Sequence, residues 1–319
     1  MRPAEVSLDE LELWNLAYSI RGFVESQSFY FGVNPLPDGD GTTLISAVEQ
    51  IFLTEGMMLA FLRDSEPEGM FASDLRKWGV IQALVVQQDA VDFLALILKQ
   101  GRLNPSKDPV LSVIREDLRN RYVGHPVSDQ IGNRKATKFV VTAGSESMEA
   151  CFIELGAGGL NVRRFNLRSA IGTQRKALMD FVENLKSKVM EQEEEFREAA
   201  RASKPLDAIR HSTFCYNLSK SHPEDDGMPS HNAKELLSQL ALFRRAFEDV
   251  GRLTQWIELD LNSMDYAASQ VAAYHEAEEN ERRLVADDVS VFLSFLEHKH
   301  DRLLDYVREI EEEISEPAS

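Results

Sequence analysis

Apolar residues recur at helical spacing over most of this chain. Ser7-Leu8-Asp9-Glu10 has the form of a capping box, with a glutamate three residues after a serine. It predicts a helix from about residue 8 to the Phe29 region. Pro35, Pro37, Gly39 and Gly41 mark residues 34–41 as a loop. Ile45, Val48, Ile51, Phe52, Met58, Leu59 and Leu62 predict a second helix over 43–63, which Pro67 and Gly69 end. A third helix is bracketed by Ser73, a suitable N-cap, and Gly101, placed where a glycine would close the C-terminus. Between them Leu75, Trp78, Val80, Ile81, Leu84, Val91, Phe93, Leu94 and Ile97 occupy almost every side. That pattern predicts a central helix buried all round, with Gln82, Asp89 and Asp92 on a narrow polar stripe. Asp108-Pro109 supplies the cap and first position of a fourth helix, packed through Val110, Val113, Ile114, Leu118 and Tyr122. Pro126 disfavours helical backbone at His125, so this helix should end near Gly124.

The period then changes. Residues 137–142, 148–155 and 161–167 are β-rich runs separated by Gly144-Ser145-Glu146-Ser147 and Gly156-Ala157-Gly158-Gly159, the pattern of a small antiparallel meander. A long helix follows over about 169–201, and its Glu191-Gln192-Glu193-Glu194-Glu195 run reads as a solvated face. Lys204-Pro205 is the expected domain boundary. Beyond it come a short helix over 206–218, a loop over 219–229, a helix capped by Ser230 and running to Leu261, and two more near 265–283 and 287–313. The expected fold class is mainly α (α+β). A helical bundle over 1–203 carries a three-stranded antiparallel β-meander at about 136–167, and an all-α region fills 205–319.

Composition narrows the function classes. Apolar residues make up 43% of the 319 and charged residues 28%, enough to build a sizeable core. The formal net charge of −18 repels nucleic acid and anionic membranes at long range. Any RNA contact therefore needs a local basic patch. Cys151 and Cys215 form neither a disulfide framework nor a CxxC zinc motif, and read as two reduced, packed thiols. The N-terminus lacks the apolar core of a signal peptide, and no uncharged apolar stretch approaches bilayer length. The expected location is cytoplasmic, without membrane attachment.

The residues most suited to chemistry are Arg119-Asn120-Arg121-Tyr122-Val123-Gly124-His125. Arg115 and Arg119 are four apart on one helix face, and Arg121 and His125 share that spacing. The negative end of the helix dipole favours a protonated histidine. One histidine moving protons, with arginines stabilising phosphate charge, suits metal-free phosphodiester chemistry. The plain alternative is that these cations only satisfy the last carbonyls of the helix. Asp89, on the helix expected to be most buried, needs a partner there and could find it in Arg119.

Arg119-Asn120, four intervening residues and His125 form an RNxxxxH motif at a helix end. With Gln87-Gln88-Asp89 on the preceding helix and Gly124-His125-Pro126, the stretch over about 40–130 resembles the HEPN superfamily. The resemblance implies a helical bundle, commonly a homodimer, acting as a metal-independent endoribonuclease on single-stranded RNA without a cofactor. Toxin–antitoxin and phage-defence systems are the settings it implies, with an antitoxin or regulatory protein as partner. By position, Arg119 would hold the phosphate, His125 would act as general acid or base, and Asn120 would orient one of them. Arg115, Arg121 and Asp89 would support them. Non-catalytic members implied by the same resemblance bind partners or nucleotides instead, and the alternative function is a protein-interaction module on the same scaffold.

His298 and His300, two apart, point to different helix sides and do not make a metal pair. Arg134, Lys135, Lys138, Arg163, Arg164, Arg168, Arg175 and Lys176 concentrate around the β-rich runs, either as a solvated surface or as a groove for RNA phosphates.

Overall fold

A computed structural model describes residues 6–26, 28–37, 41–63, 69–124, 129–131, 134–140, 148–156, 159–224, 228–278 and 282–317; side chains are described for these except at 70–71, 120–140 and 152–161. The described chain is mainly helical with a small antiparallel sheet. It divides into two compact units. One comprises Met1–Gln27 and Leu36–Val189, the other Ser28–Pro35 and Met190–Ser319. The division falls inside a helix after Val189 rather than at Lys204-Pro205, and a short N-terminal segment belongs to the second unit. Glu193, a buried carboxylate of that helix, ties the N-terminal segment to the second unit.

In the first unit the capping box forms as the sequence predicts. Ser7 Oγ accepts from the Asp9 amide and Glu10 accepts from the Ser7 amide at 2.9 Å. It opens only a 3₁₀ turn, Leu8–Glu10, before α1 (Glu12–Ser26) begins. The first amides of α1 are satisfied by a distant side chain. Glu55, 2% exposed on α3 (Thr42–Arg63), accepts from Leu13 N–H at 3.2 Å and Trp14 N–H at 2.9 Å. Arg175 Nε donates to the same carboxylate at 3.3 Å. Burial pushes the Glu55 carboxyl above its ordinary value, against the pull of these donors.

The α4 helix (Met70–Ile97) starts at Gly69, whose φ of +95° suits glycine, and not at Ser73, which lies one turn inside. Its C-terminus closes through Lys99, at φ +58°, and not through Gly101. The Lys99 amide donates to Leu96 O and the Gln100 amide to Ala95 O, the paired bonds of a Schellman motif. Val80, Ile81, Ala83 and Leu84 of α4 pack with Met58, Phe61, Ile114, Leu118, Ala150, Leu167 and Ile171 in one core. By length and composition, Thr42–Arg63 and Ala72–Ile97 could each cross a bilayer, although no such stretch was expected; their most apolar windows are 44% and 72% buried. They owe their apolarity to this core.

Asp108 caps the next helix as predicted, its Oδ1 accepting from Val110 N–H at 2.8 Å and Leu111 N–H at 2.9 Å. Only α5 (Leu111–Val113) is α-helical. From Ile114 to Gly124 the chain winds as a π-helix, a rare form with i→i+5 bonding that clusters at functional sites. The run is described as far as Gly124, and the expected helix end there borders residues 125–128, which lie outside the described residues. The sheet then has the order β1-β2-β3-β4, all antiparallel, from Asp129–Ile131, Arg134–Val140, Glu149–Gly156 and Gly159–Asn166. The last three correspond to the expected runs, and β1 is an added short edge. The α6 helix (Leu167–Ser203) follows directly, with Asn166 Oδ1 accepting from Ser169 N–H at 2.8 Å.

In the second unit, Glu193 on α6 is fully buried and not part of a solvated face. It accepts from Ser28 Oγ at 2.8 Å, Phe29 N–H at 3.1 Å and Tyr30 N–H at 3.0 Å, so it closes the N-terminus of the short helix α2 (Phe29–Val33). Arg197 Nε donates to it at 2.8 Å, and its guanidinium lies 4.8 Å from the centre of the Phe29 ring. The expected helix over 206–218 is two short ones, α7 (Asp207–Arg210) and α8 (Phe214–Ser219). The helix expected from Ser230 to Leu261 is also two. The first, α9 (Pro229–Asp249), starts with proline at its first turn and no side-chain cap; the second, α10 (Gln255–Glu276), is capped by Thr254. Between them Gly251 adopts φ +65° against Gly32; a Cβ there would lie 2.8 Å from Phe29 O and from Gly32 C. That close backbone approach requires two glycines and breaks an otherwise continuous apolar pattern. The last helix, α11 (Ala286–Ser315), completes a core of Phe214, Phe243, Phe247, Leu261, Met264 and Leu303 among others.

Candidate functional site

The predicted cluster centres on the π-helical run, and buried amides hold one side of it. Gln87, Gln88 and Gln174 are each at most 1% exposed. Gln174 Nε2 donates to Leu84 O at 2.9 Å and Gln87 Oε1 at 3.1 Å. Its Oε1 accepts from Gln88 Nε2 at 2.7 Å, and Gln88 Oε1 accepts from Arg115 Nε at 2.8 Å. Buried amides require such partners, and satisfied networks of this kind fix a single arrangement. The network therefore locks α6, α4 and the start of the π-helical run together.

Arg115 completes this chain with an ion pair to Asp89. Both residues were named from the sequence, but the pairing differs from expectation. Asp89 was expected to be buried and to meet Arg119. Its side chain is instead 63% exposed, and Arg115 is its partner. The helical period explains the exposure: Asp89 falls on the one face of α4 that meets water. The buried acid on that helix is Asp92, whose Oδ2 accepts from Arg102 Nε at 3.1 Å and whose Oδ1 accepts from the Asn104 amide at 3.3 Å. Burial alone would raise its carboxyl; the Arg102 and Asn104 donors overcome that and hold it below the ordinary value.

Arg119 is half-buried on the π-helical run. The backbone of Asn120 and Arg121 belongs to the same run, but their side chains lie outside the described residues, as does His125 entirely. The structure thus brings Arg115, Asp89 and Gln88 together and carries Arg119 on the same element. It does not describe the grouping of Asn120, Arg121 and His125.

The basic concentration is partly structural. Arg175 is engaged by Glu55, Glu12 and the Glu10 carbonyl. Arg163 lies 3.7 Å from Asp117 of the π-helical run, and Arg168 donates to Leu62 O at 3.4 Å. The side chains of Arg134, Lys135 and Lys138 lie outside the described residues.

Two buried titratable groups had no signal in the sequence. Lys77 on α4 is 2% exposed, and burial pushes its ammonium below the ordinary lysine value, with Asp74 and Glu149 acting in the opposite sense. His300 is buried, stacked on Phe214 with ring centres 4.8 Å apart, and its Nδ1 lies 3.5 Å from Cys215 Sγ. His298, two residues away, is exposed. Cys215 is exposed as a residue and not packed as expected; the partial burial of its thiol against His300 and the carboxylates of Asp301 and Glu297 raise its pKa, which disfavours the reactive thiolate.

Compared with known proteins, the chain matches no family model, no curated protein and no solved structure.

Proposed function

We propose that this protein is a metal-independent endoribonuclease of the HEPN type, with Arg119, Asn120 and His125 as its reacting group. The observation that carries the reading is that the backbone of Arg119-Asn120 lies on a π-helical run described as far as Gly124, with His125 next in the sequence. The Gln87–Gln88–Gln174 network braces that run through Arg115, which gives the site the rigid support that catalysis needs. In this reading the RNA 2′-hydroxyl attacks the adjacent phosphorus and the 5′-oxygen of the next nucleotide leaves. His125 takes the proton from the nucleophile or delivers one to the leaving oxygen. Arg119 stabilises the charge gathered on the phosphate oxygens. Asn120 orients one of the two. The imidazole and guanidinium supply the acid–base and electrostatic work themselves. Products should carry 2′,3′-cyclic phosphate ends, and an RNA with a 2′-deoxy residue at the cleavage position should survive. Cleavage of that substituted RNA would overturn the mechanism.

A second reading has its own support. Asp89 neutralises Arg115, and the groove beside that pair is largely apolar, lined by Ala47, Val86, Ala90 and Phe93. Those features fit a non-catalytic module that keeps the same scaffold and binds a protein partner. It predicts a folded protein with no RNA cleavage.

A further inference from the structure

The last strand of the sheet is open along one side. β4 pairs with β3, and among the described elements no other strand or helix runs alongside it. The register fixes which positions face outward. Leu167 N–H donates to Met148 O at 2.8 Å, and antiparallel pairing alternates, so the odd-numbered positions of β4 turn their main-chain groups to β3. Leu160, Val162, Arg164 and Asn166 therefore turn their N–H and C=O groups to the open side. The strand has eight residues and no proline, which is long for an edge that proteins usually shorten or cover. Val162, 51% exposed, and Arg164, also exposed, share the outer face of the sheet, while Phe165 packs toward the core.

Charge gives this edge a sign. The chain has 53 Asp and Glu against 35 Lys and Arg, yet residues 155–179 hold no carboxylate and carry Arg163, Arg164, Arg168, Arg175 and Lys176. Arg163 lies 3.7 Å from Asp117, and Arg175 is engaged by Glu55 and Glu12. Arg164 makes no ion pair among the described residues. We propose that β4 takes up an extended acidic segment of a partner protein as a fifth strand. The outward N–H and C=O groups supply the main-chain bonds of such an addition, and the side chains beside them select the sequence. Val162 and Arg164, two apart on one face, require an apolar β-former and a carboxylate two apart on the incoming strand. The resemblance over about 40–130 does not reach this strand.

Other occupants fit less well. A second copy of this edge would bring four arginines into one short ladder, and like charges across strands repel. RNA phosphates would engage the arginines and accept from the outward N–H groups, but they carry no donor for the outward carbonyls. An acidic strand satisfies the arginine and both kinds of main-chain group together.

The test sets a fluorescein-labelled peptide of alternating Glu and Val, about ten residues long, against the full chain, read by fluorescence anisotropy and by hydrogen exchange. The wild type should bind it saturably, and binding should protect the amides of the 159–166 segment from exchange. Arg164→Glu sets like charges across the ladder and should weaken binding on the order of 10-fold or more. Val162→Pro removes one outward N–H, a change that an edge strand tolerates, and should weaken binding as much. Circular dichroism, with an unchanged exchange pattern in α3 and α4, establishes that both variants are folded. The same peptide methylated at every amide nitrogen keeps its charges and should not bind. Absence of wild-type binding up to about 1 mM overturns the proposal, because a specific contact registers below that concentration. Equal binding of the methylated peptide, or binding that Val162→Pro leaves unchanged, overturns it as well. A labelled oligouridine that displaces the peptide and loses affinity with Arg164→Glu but not with Val162→Pro would overturn it and reassign the arginines to RNA.

Discussion

Replacing Glu193 with alanine removes the acceptor of four hydrogen bonds at once. The carboxylate is fully buried and receives Ser28 Oγ–H, the Phe29 and Tyr30 amides, and Arg197 Nε–H. Arg197 is itself 6% exposed, so the substitution strands a buried guanidinium. Its remaining bonds, to the Glu313 and Glu316 carbonyls, do not neutralise its charge. Removing one member of such a buried pair costs about 3–5 kcal/mol. Each stranded buried amide adds roughly 1–3 kcal/mol where water cannot reach it. Relaxation will recover part of this, so the expected loss is about 3–5 kcal/mol, felt first in the 28–35 segment and the second unit. Whole-chain melting is a blunt readout, because a protein of two compact units need not unfold in one step. Hydrogen exchange resolved by peptide is the better assay. The Phe29 and Tyr30 amides and the core of α9–α11 should lose protection, while α3 and α4 keep theirs. Glu193→Ala/Arg197→Ala should cost less than the sum of the two single changes, since the second removes the stranded charge. If Glu193→Ala leaves 28–35 protected and costs under about 1 kcal/mol, the assignment of this carboxylate as the anchor of the N-terminal segment is wrong.

Two other expectations follow from buried polar groups. Burial holds the His300 imidazole below its ordinary pKa, although Asp301 pulls the other way. The unfolded chain then takes up a proton near pH 6.5 that the fold refuses, so stability from this group is present above about pH 6.5 and falls as pH drops below it. In urea unfolding followed by exchange in α8 and α11, His300→Phe should flatten that decline, and an unchanged slope would count against it. Gln88→Leu should strand Gln174 Oε1 and Arg115 Nε and lower stability by roughly 2–4 kcal/mol, at about 1–3 kcal/mol per unsatisfied buried group. A loss below about 0.5 kcal/mol would show that the amide network does not brace the π-helical run.

Local signals written in the chain were met where they act locally. The Ser7–Glu10 capping box, the Asp108 cap and the helix over 43–63 needed only near neighbours, and all three occur. The expectations that failed depended on distant partners. Glu193 lies in an acidic run that spells solvent, but it serves amides more than 160 residues away in sequence. Gly251 interrupts a helix because another glycine, Gly32, packs against it, and no local pattern announces that. At α4 the periodicity was right but its meaning was not. An apolar circumference predicted burial on every side, and Leu75, Trp78, Phe93 and Leu96 are exposed instead. At the candidate site the participants Arg115 and Asp89 were legible, but their pairing was not. The π-helical winding from Ile114 to Gly124 has no glycine or proline within 114–123 to mark it.

The central claim is most directly tested by incubating the EDTA-treated full chain with end-labelled single-stranded RNA, comparing wild type with Arg119→Ala and His125→Ala. The account predicts cleavage by the wild type to fragments ending in 2′,3′-cyclic phosphate, with each variant folded and slower by roughly 100-fold or more, the scale of losing a general acid–base or an oxyanion-stabilising group. Equal cleavage by all three proteins, or none by a folded wild type, would contradict it; absence of cleavage would favour the protein-binding module.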